Sequence, residues 1–316
     1  MNDPRKAMDW DSAPVLSVMR QALEEDVGPG DATSLATVPA TAMARARIIA
    51  RDPLVCAGLP IAERVFRELA GDMEIELLAK DGDTVEKRRD LIRCRGRARA
   101  ILAGERTALN FLAHLSGVAT LTRRFVERLA GTKAKIRDTR KTTPGLRMLE
   151  KYAVRIGGGT NHRFGLFDAI LLKENHIALA GGVKAALDKA HVYSSAQIVT
   201  QEMSAYEAAG GAPRGDASTS LTIQIEVRND RELREALQAG ADAVLLDNMT
   251  PEEAKRCVEL ARSLRADCVV EISGGITLEN ARAYAETGAD FLSSGALTHS
   301  APAANLSLLV DSIEEK

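Results

Sequence analysis

Residues 229–248 read NDRELREALQAGADAVLLDN and residues 277–296 read TLENARAYAETGADFLSSGA; at an offset of 48, Gly240 falls on Gly288 and Asp242 on Asp290. Each copy shows a helical period, then a glycine, then a short apolar run, the order of a helix returning into a strand. A third apolar run, 268–272, lies between them, so the 48 residues hold two helix–strand units of about 24, the unit size of a (β/α) barrel.

Outward from this repeat the same texture continues. Candidate strands at 134–138, 168–172, 221–227, 243–246, 268–272 and 290–293 are each followed by polar or Gly residues and then helical periodicity, which predicts a parallel sheet in an α/β fold. Six strands rather than eight suit an open, incomplete α/β barrel as well as a closed one. Thr250, Pro251 and Glu253 combine an N-cap, an N1 proline and a capping box, and Asn229 with Glu232 makes a second capped start.

Upstream the pattern changes. Residues 92–100 alternate small or apolar side chains with Arg93, Arg95, Arg97 and Arg99, the period of a half-buried antiparallel strand, and 48–55 reads as another strand weakened by Pro53. Leu109, Leu112, Leu115, Leu121, Phe125 and Leu129 predict a long helix over about 103–130 joining two domains. Residues 194–220 end in AAGGAPRGDASTS and read as a surface loop.

Composition narrows the function classes. The chain has 316 residues, 45% hydrophobic and 27% charged, in the range of globular proteins, but only 3% aromatic. The core is therefore aliphatic, and a surface that stacks nucleobases on rings has little material. No apolar run approaches the roughly 18 residues of a membrane helix, and the first residues lack a signal-type stretch, so the expectation is a cytoplasmic protein. Cys56, Cys94, Cys257 and Cys268 have no metal or redox spacing and read as reduced, buried hydrophobes. The sequons at Asn248 and Asn305 carry no meaning without secretion. The net charge is −2, yet residues 133–173 hold ten Lys or Arg against three acids, +7, leaving −9 elsewhere.

Barrel chemistry sits at the C-terminal strand ends. There the sequence places Arg140 and Lys141 after the first strand, Lys173 after the second, Glu226 and Asp247 at the third and fourth, Ser273, Gly274 and Gly275 after the fifth, and Gly295 and His299 after the sixth. Ser-Gly-Gly between strand and helix lets backbone N–H groups converge on a phosphate, although the same glycines could merely turn the chain. Glu226 and Asp247 suit Mg²⁺ or ribose hydroxyls. Gathering Arg140, Lys141, Arg163 and Lys173 needs an anionic occupant, one with both carboxylate and phosphate charge. Arg147, Lys151 and Arg155, four residues apart, read instead as a solvated helix face. Of the histidines, His162 and His299 stand in polar surroundings that suggest ligand contact, as does His176 more weakly; His114 and His191 read as structural.

Taken in order, ERTALNFL (105–112), DTRKTTPGLR (138–147), GGGTNHRFGL (157–166), LLKENHI (171–177), LLDN (245–248) and EISGGI (271–276) closely resemble the quinolinate phosphoribosyltransferases, from about Glu24 to His299. The resemblance implies an N-terminal α/β sandwich domain (1–117, rejoined by 300–316) and an open α/β barrel (118–299). It implies a homodimer, open to a higher oligomer, with quinolinate and phosphoribosyl pyrophosphate (PRPP) as substrates and Mg²⁺ as cofactor; composition adds the expectation of no membrane or nucleic-acid partner. By motif, Arg106 would reach the partner's pocket; Arg140, His162, Arg163 and Lys173 would bind the two quinolinate carboxylates. Lys141 would face PRPP, Glu226 and Asp247 its ribose or metal, and Ser273, Gly274, Gly275, Gly295 and His299 a phosphate. Lys141, Lys173, Glu226 and Asp247 are the implied catalytic set.

Two departures stand out: the stretch between His191 and Leu221 is longer than the family pattern, and Arg228 follows Glu226-Val227 where a second acid is common. Other readings stay open at this stage. They are a paralogue acting on another pyridine or anionic substrate, a Schiff-base lyase using Lys173, and a non-catalytic anion-binding module.

Overall fold

A computed structural model describes residues 8–196 and 221–314. The expected long loop at 194–220 therefore falls almost wholly outside the described residues. The chain divides into two compact units: residues up to Arg123 with Thr143–Gly158 and the segment from Ser300, and Arg124–Thr142 with Gly159–His299.

The first unit is built on an antiparallel sheet of order β12-β1-β5-β3, from β12 (Leu306–Glu314), β1 (Met43–Ala50), β5 (Asp90–Arg97) and β3 (Glu74–Leu77). The expected strand at 48–55 is two strands, β1 and β2 (Leu54–Val55), because Pro53 cannot donate to a ladder; β2 pairs with β4 (Thr84–Val85). The expected strand at 92–100 likewise ends at Arg97, and Ala98 opens the long helix α4 (Ala98–Arg128). Around the sheet lie α1 (Ala13–Val27), α2 (Ala32–Thr37) and α3 (Leu59–Leu69). In α1, Val15, Met19 and Leu23 are buried at four-residue intervals, and α3 buries Ala62, Val65 and Phe66. The arginine row of β5 is answered on its own sheet: Arg93 pairs with Asp90 at 2.8 Å and Arg95 with Glu74 at 3.1 Å.

Helix α5 (Arg147–Ile156) belongs to this unit. Tyr152 donates to the buried Asp81 carboxylate at 2.7 Å and packs edge-on against Trp10. The reading of Arg147, Lys151 and Arg155 as a solvated face is overturned: Lys151 is 2% exposed, and the Arg155 guanidinium lies 5.9 Å from the Tyr152 ring. The helix is enclosed on the side its charges suggested was wet, because its apolar residues, Leu149, Tyr152, Ala153 and Val154, run nearly all the way round. His114 is structural, its Nε2 2.8 Å from the fully buried Glu150.

The second unit contains the six expected strands, all parallel, in the order β6-β11-β10-β9-β8-β7: β6 (Lys135–Arg137), β7 (Ile170–Leu172), β8 (Ile223–Val227), β9 (Ala243–Asp247), β10 (Val269–Ser273) and β11 (Phe291–Ser293). Among the described residues β6 and β7 are edges, so the sheet is open, as an incomplete barrel requires. Between strands run α6 (Glu174–Ala180), α7 (Val183–Ala196), α8 (Asp230–Gln238), α9 (Pro251–Leu264), α10 (Ala281–Ala285) and α11 (Ala296–His299). Asn229 caps α8 by accepting from Glu232 N–H, and Thr250 and Glu253 form the reciprocal box on α9.

The repeat has a mechanical meaning. Asp242, just before β9, accepts from the Ile223 N–H at 3.0 Å, and Asp290, just before β11, from the Val270 N–H at 2.8 Å. Each aspartate ties the start of its own strand to the start of the preceding one. Gly240 and Gly288 supply the left-handed turns (φ 84° and 88°) that bring the chain there from the helix. The four cysteines are free and buried, and burial pushes the Cys56 and Cys257 thiols up to about 12.

Candidate active site

Strand alternation decides what faces the helices and what faces the barrel interior. Val244, Leu246, Val270, Ile272 and Leu292 are fully buried and occupy one set of alternate positions. The other set forms two rows in register: Phe291, Glu271, Leu245 and Glu226, then Ser293, Ser273 and Asp247. Most of the second set, with the loops that follow, lines a cavity of about 610 Å³.

Of the expected residues, Arg140, Lys141, His162, Arg163 and Lys173 line this cavity, and Asp247, Ser273, Gly274, Gly275, Gly295 and His299 complete it. Glu226 meets it through Lys173, whose Nζ donates to Glu226 Oε2 at 3.2 Å. Arg106 lies in the other unit, exposed on α4, where its side chain makes no hydrogen bond or ion pair with a described residue. His176 does not line the cavity: its ring Nδ1 accepts from the Lys173 N–H at 3.0 Å and so closes the first turn of α6.

The cationic wall is organised by two aspartates. Asp138, fully buried at the end of β6, accepts from the His162 N–H at 2.9 Å and from Asn161 Nδ2 at 2.5 Å. Asp168 accepts from Phe164 and Gly165 N–H and so shapes the turn after Arg163, whose Nη1 is tied to the Ala169 carbonyl at 3.0 Å. Burial, and then the neighbouring Arg140 cation, lower the Arg163 guanidinium from its ordinary value, with Asp168 acting against them. A desolvated guanidinium beside a second one is relieved by an anion.

The rest of the cavity is built of glycine turns. Gly274 (φ 102°) and Gly275 (φ 61°) turn in the left-handed region after β10, and the N–H groups of Gly274, Gly275 and Gly295 donate to no described residue. A Cβ on Gly274 would overlap the Asn248 side chain and come within 2.9 Å of its backbone nitrogen. A Cβ on Gly295 would come within 3.0 Å of both His299 Nε2 and Lys141 Cδ. The glycine loops, Lys141 and His299 thus share one corner, held by Thr298 Oγ1 donating to the Lys141 carbonyl at 2.7 Å.

Glu271 sits unexpectedly on the cavity floor. It is fully buried: Oε2 accepts from Arg137 Nη1 at 2.9 Å and Gln224 Nε2 at 3.0 Å, and Oε1 accepts from Ser293 Oγ and lies 3.5 Å from His162 Nε2. Burial works to raise this carboxyl, but His162, Arg137, Ser293 and Gln224 outweigh it and hold it below the usual carboxylate range. Arg137 lies flat on the Phe291 ring, 3.4 Å from its centre. The only sequence signal for Glu271 is an acid inside the apolar run VVEIS, which reads first as a strand. Among the described residues no three His, Cys, Asp or Glu side chains converge as a metal cluster, and no helix is long and apolar enough to cross a membrane.

Comparison with known proteins agrees with this geometry. The N-terminal domain description of quinolinate phosphoribosyl transferase matches residues 31–116, and the C-terminal domain description matches 118–214 and 207–309. The chain is 40% identical over 92% of its length to the probable nicotinate-nucleotide pyrophosphorylase [carboxylating] of Bacillus subtilis (strain 168), covering 93% of that protein. It is 41% identical over 89% of its length to the nicotinate-nucleotide pyrophosphorylase [carboxylating] of Mycobacterium leprae (strain TN), covering 92% of it. The solved nicotinate-nucleotide pyrophosphorylase of Francisella tularensis superposes with a TM-score of 0.84 at 36% identity, covering 98% of this chain and 100% of that one. With both domain descriptions matched in order and relatives alike over nearly the whole chain, this protein belongs to the quinolinate phosphoribosyltransferase family.

Proposed function

We propose that the chain converts quinolinate and PRPP to nicotinate mononucleotide, pyrophosphate and CO₂, as a cytoplasmic enzyme of NAD biosynthesis. One observation carries this reading: Arg140, Lys141, Arg163 and Lys173, from three separate stretches, line one cavity together with a glycine cradle. Arg140, His162, Arg163 and Lys173 hold the two carboxylates of the pyridine acid. The N–H groups around Gly274, Gly275 and Gly295, with Ser273 and His299, take the 5′-phosphate of PRPP, and Lys141 bridges toward its pyrophosphate. Glu226 and Asp247, at the ends of neighbouring strands, take the ribose hydroxyls.

Two carboxylates without a third ligand fit a Mg²⁺ held mainly by the substrate's own pyrophosphate, with Glu226 and Asp247 as its protein neighbours. Bound there, such an ion would offset negative charge on the pyrophosphate. The side chains bring two mutually repelling anions together and aim the ring nitrogen at the anomeric carbon. The nitrogen's lone pair forms the N–C bond as the C–O bond to pyrophosphate breaks. The pyridinium so formed accepts the electron pair released when the 2-carboxylate leaves as CO₂. Asp81 and Glu150, both buried in the other unit, take no part.

The chain acts as a homodimer in which Arg106 of each protomer completes its partner's site. What supports this is a long cation exposed on α4 with no described partner to hold it. The deciding assay supplies the protein with Mg²⁺, PRPP and either quinolinate or nicotinate, and follows pyrophosphate and CO₂. Equal release of both from quinolinate, and neither from nicotinate, is expected. Pyrophosphate from nicotinate alone would place the chain with a different pyridine substrate, and binding without release would make it an anion-binding module.

A further inference from the structure

We propose that Glu271 is a positioning residue that fixes the His162 ring, and through it Arg163, against the substrate carboxylates; this rests on the function proposed above. The geometry leaves the ring little choice. The Arg163 N–H donates to His162 Nδ1 at 2.7 Å, so that nitrogen must present its lone pair. The ring proton of neutral His162 therefore resides on Nε2, which lies 3.5 Å from Glu271 Oε1. A buried carboxylate behind the ring in this way sets tautomer and ring plane together.

Glu271 can do this because it has no freedom of its own. Its two oxygens are addressed from three strands: Arg137 at the end of β6, Gln224 on β8 and Ser293 at the end of β11. A carboxylate with its lone pairs committed to protein donors is a poor ligand for an incoming ion, so its place on the cavity floor is structural toward the pocket rather than substrate-facing. The chain of contacts runs on: His162 Nδ1 holds the Arg163 N–H, while Arg163 Nη1 is tied to the Ala169 carbonyl. If Glu271 let the ring turn, the Arg163 backbone would lose its acceptor, and the guanidinium its aim.

The same carboxylate answers a charge problem. With the pocket empty, Arg140, Lys141, Arg163 and Lys173 face one cavity, and Glu271 is a buried negative charge on its floor. It offsets the cations without competing for the position of the dianion. The contribution is therefore to substrate binding more than to the bond-making step, and a KM effect follows.

The test reads His162 directly. Ring-¹⁵N-labelled enzyme without substrate, with the His162 signals assigned by their loss in His162→Gln, is expected to show the proton on Nε2 and protected from exchange with water. Glu271→Gln keeps the shape and removes the charge. It is expected to speed that exchange and to raise the KM for quinolinate roughly tenfold while leaving kcat within about threefold. Ser293→Ala, which keeps the carboxylate and removes one donor to Oε1, moves both quantities in the same direction by less, and it decides the matter if Glu271→Gln does not fold. A proton on Nδ1 in the unmodified enzyme, or a folded variant with unchanged exchange and KM, overturns the inference. The tautomer is read without turnover, so a failure of the proposed reaction and a failure of this inference are separate results.

Discussion

Lys173 Nζ donates to Glu226 Oε2 at 3.2 Å, joining the residue after β7 to an acid near the end of the neighbouring strand β8. The ammonium is about half exposed and paired with a carboxylate, where a Schiff-base lysine needs an apolar enclosure or a second cation. Borohydride added during turnover is expected to leave Lys173 unmodified by mass spectrometry. A stable substrate adduct on that residue would restore the lyase reading.

Arg163→Ala, with the fold intact by circular dichroism, is expected to lower kcat/KM by at least about 100-fold, as removal of a charged contact made to the reacting substrate does. Arg106→Ala is expected to behave alike, although it lies in the other unit. Mixing the two inactive variants under exchange conditions then makes hybrids with one intact site in two, and recovers up to about a quarter of the unmodified activity for a twofold dimer. No recovery in a demonstrated hybrid would place Arg106 in its own protomer's site.

Gly274→Ala introduces a Cβ at φ 102° and against Asn248. The left-handed backbone alone costs about 1–2 kcal/mol. Displacing the loop is expected to raise the KM for PRPP more than the KM for quinolinate, and the two constants measured on one preparation check this.

Asp290 gives a pH dependence with a defined sign. Burial works upward on its carboxyl, but the Val270 N–H, Arg262 and Lys133 outweigh it and hold it below the usual carboxylate range. A carboxyl lowered by folding stabilises the native state above its unfolded value, near about 4, and loses that contribution as the pH falls through the folded value. Asp290→Asn is expected to cost about 2 kcal/mol at pH 7 and less at an acidic pH below the unfolded value. Urea midpoints of both proteins at the two pH values test it; a constant difference would show that Asp290 acts by packing alone.

Much of this was legible in the sequence because parallel strands buried on both faces read as apolar runs, and all six recur in the sheet. The cationic wall was legible for a similar reason: Arg140, Lys141 and Lys173 stand just beyond strands, where position along the chain implies position in the barrel. Glu271 was not, because the alternation that turns it inward is hidden in a run that looks uniformly buried. Nor was the course of α5. Lys151 looks like a surface residue by type, and contacts distant along the chain, the Tyr152 to Asp81 hydrogen bond and the His114 to Glu150 pair, hold Thr143–Gly158 in the other unit.

The place of β12 beside β1 sets an order of events during synthesis. Arg47 on β1 pairs with Asp311 on β12, 264 residues later. Until that late segment emerges from the ribosome, one side of β1 is a bare backbone edge, open to pairing with another nascent chain. The N-terminal sheet is thus begun early and sealed late.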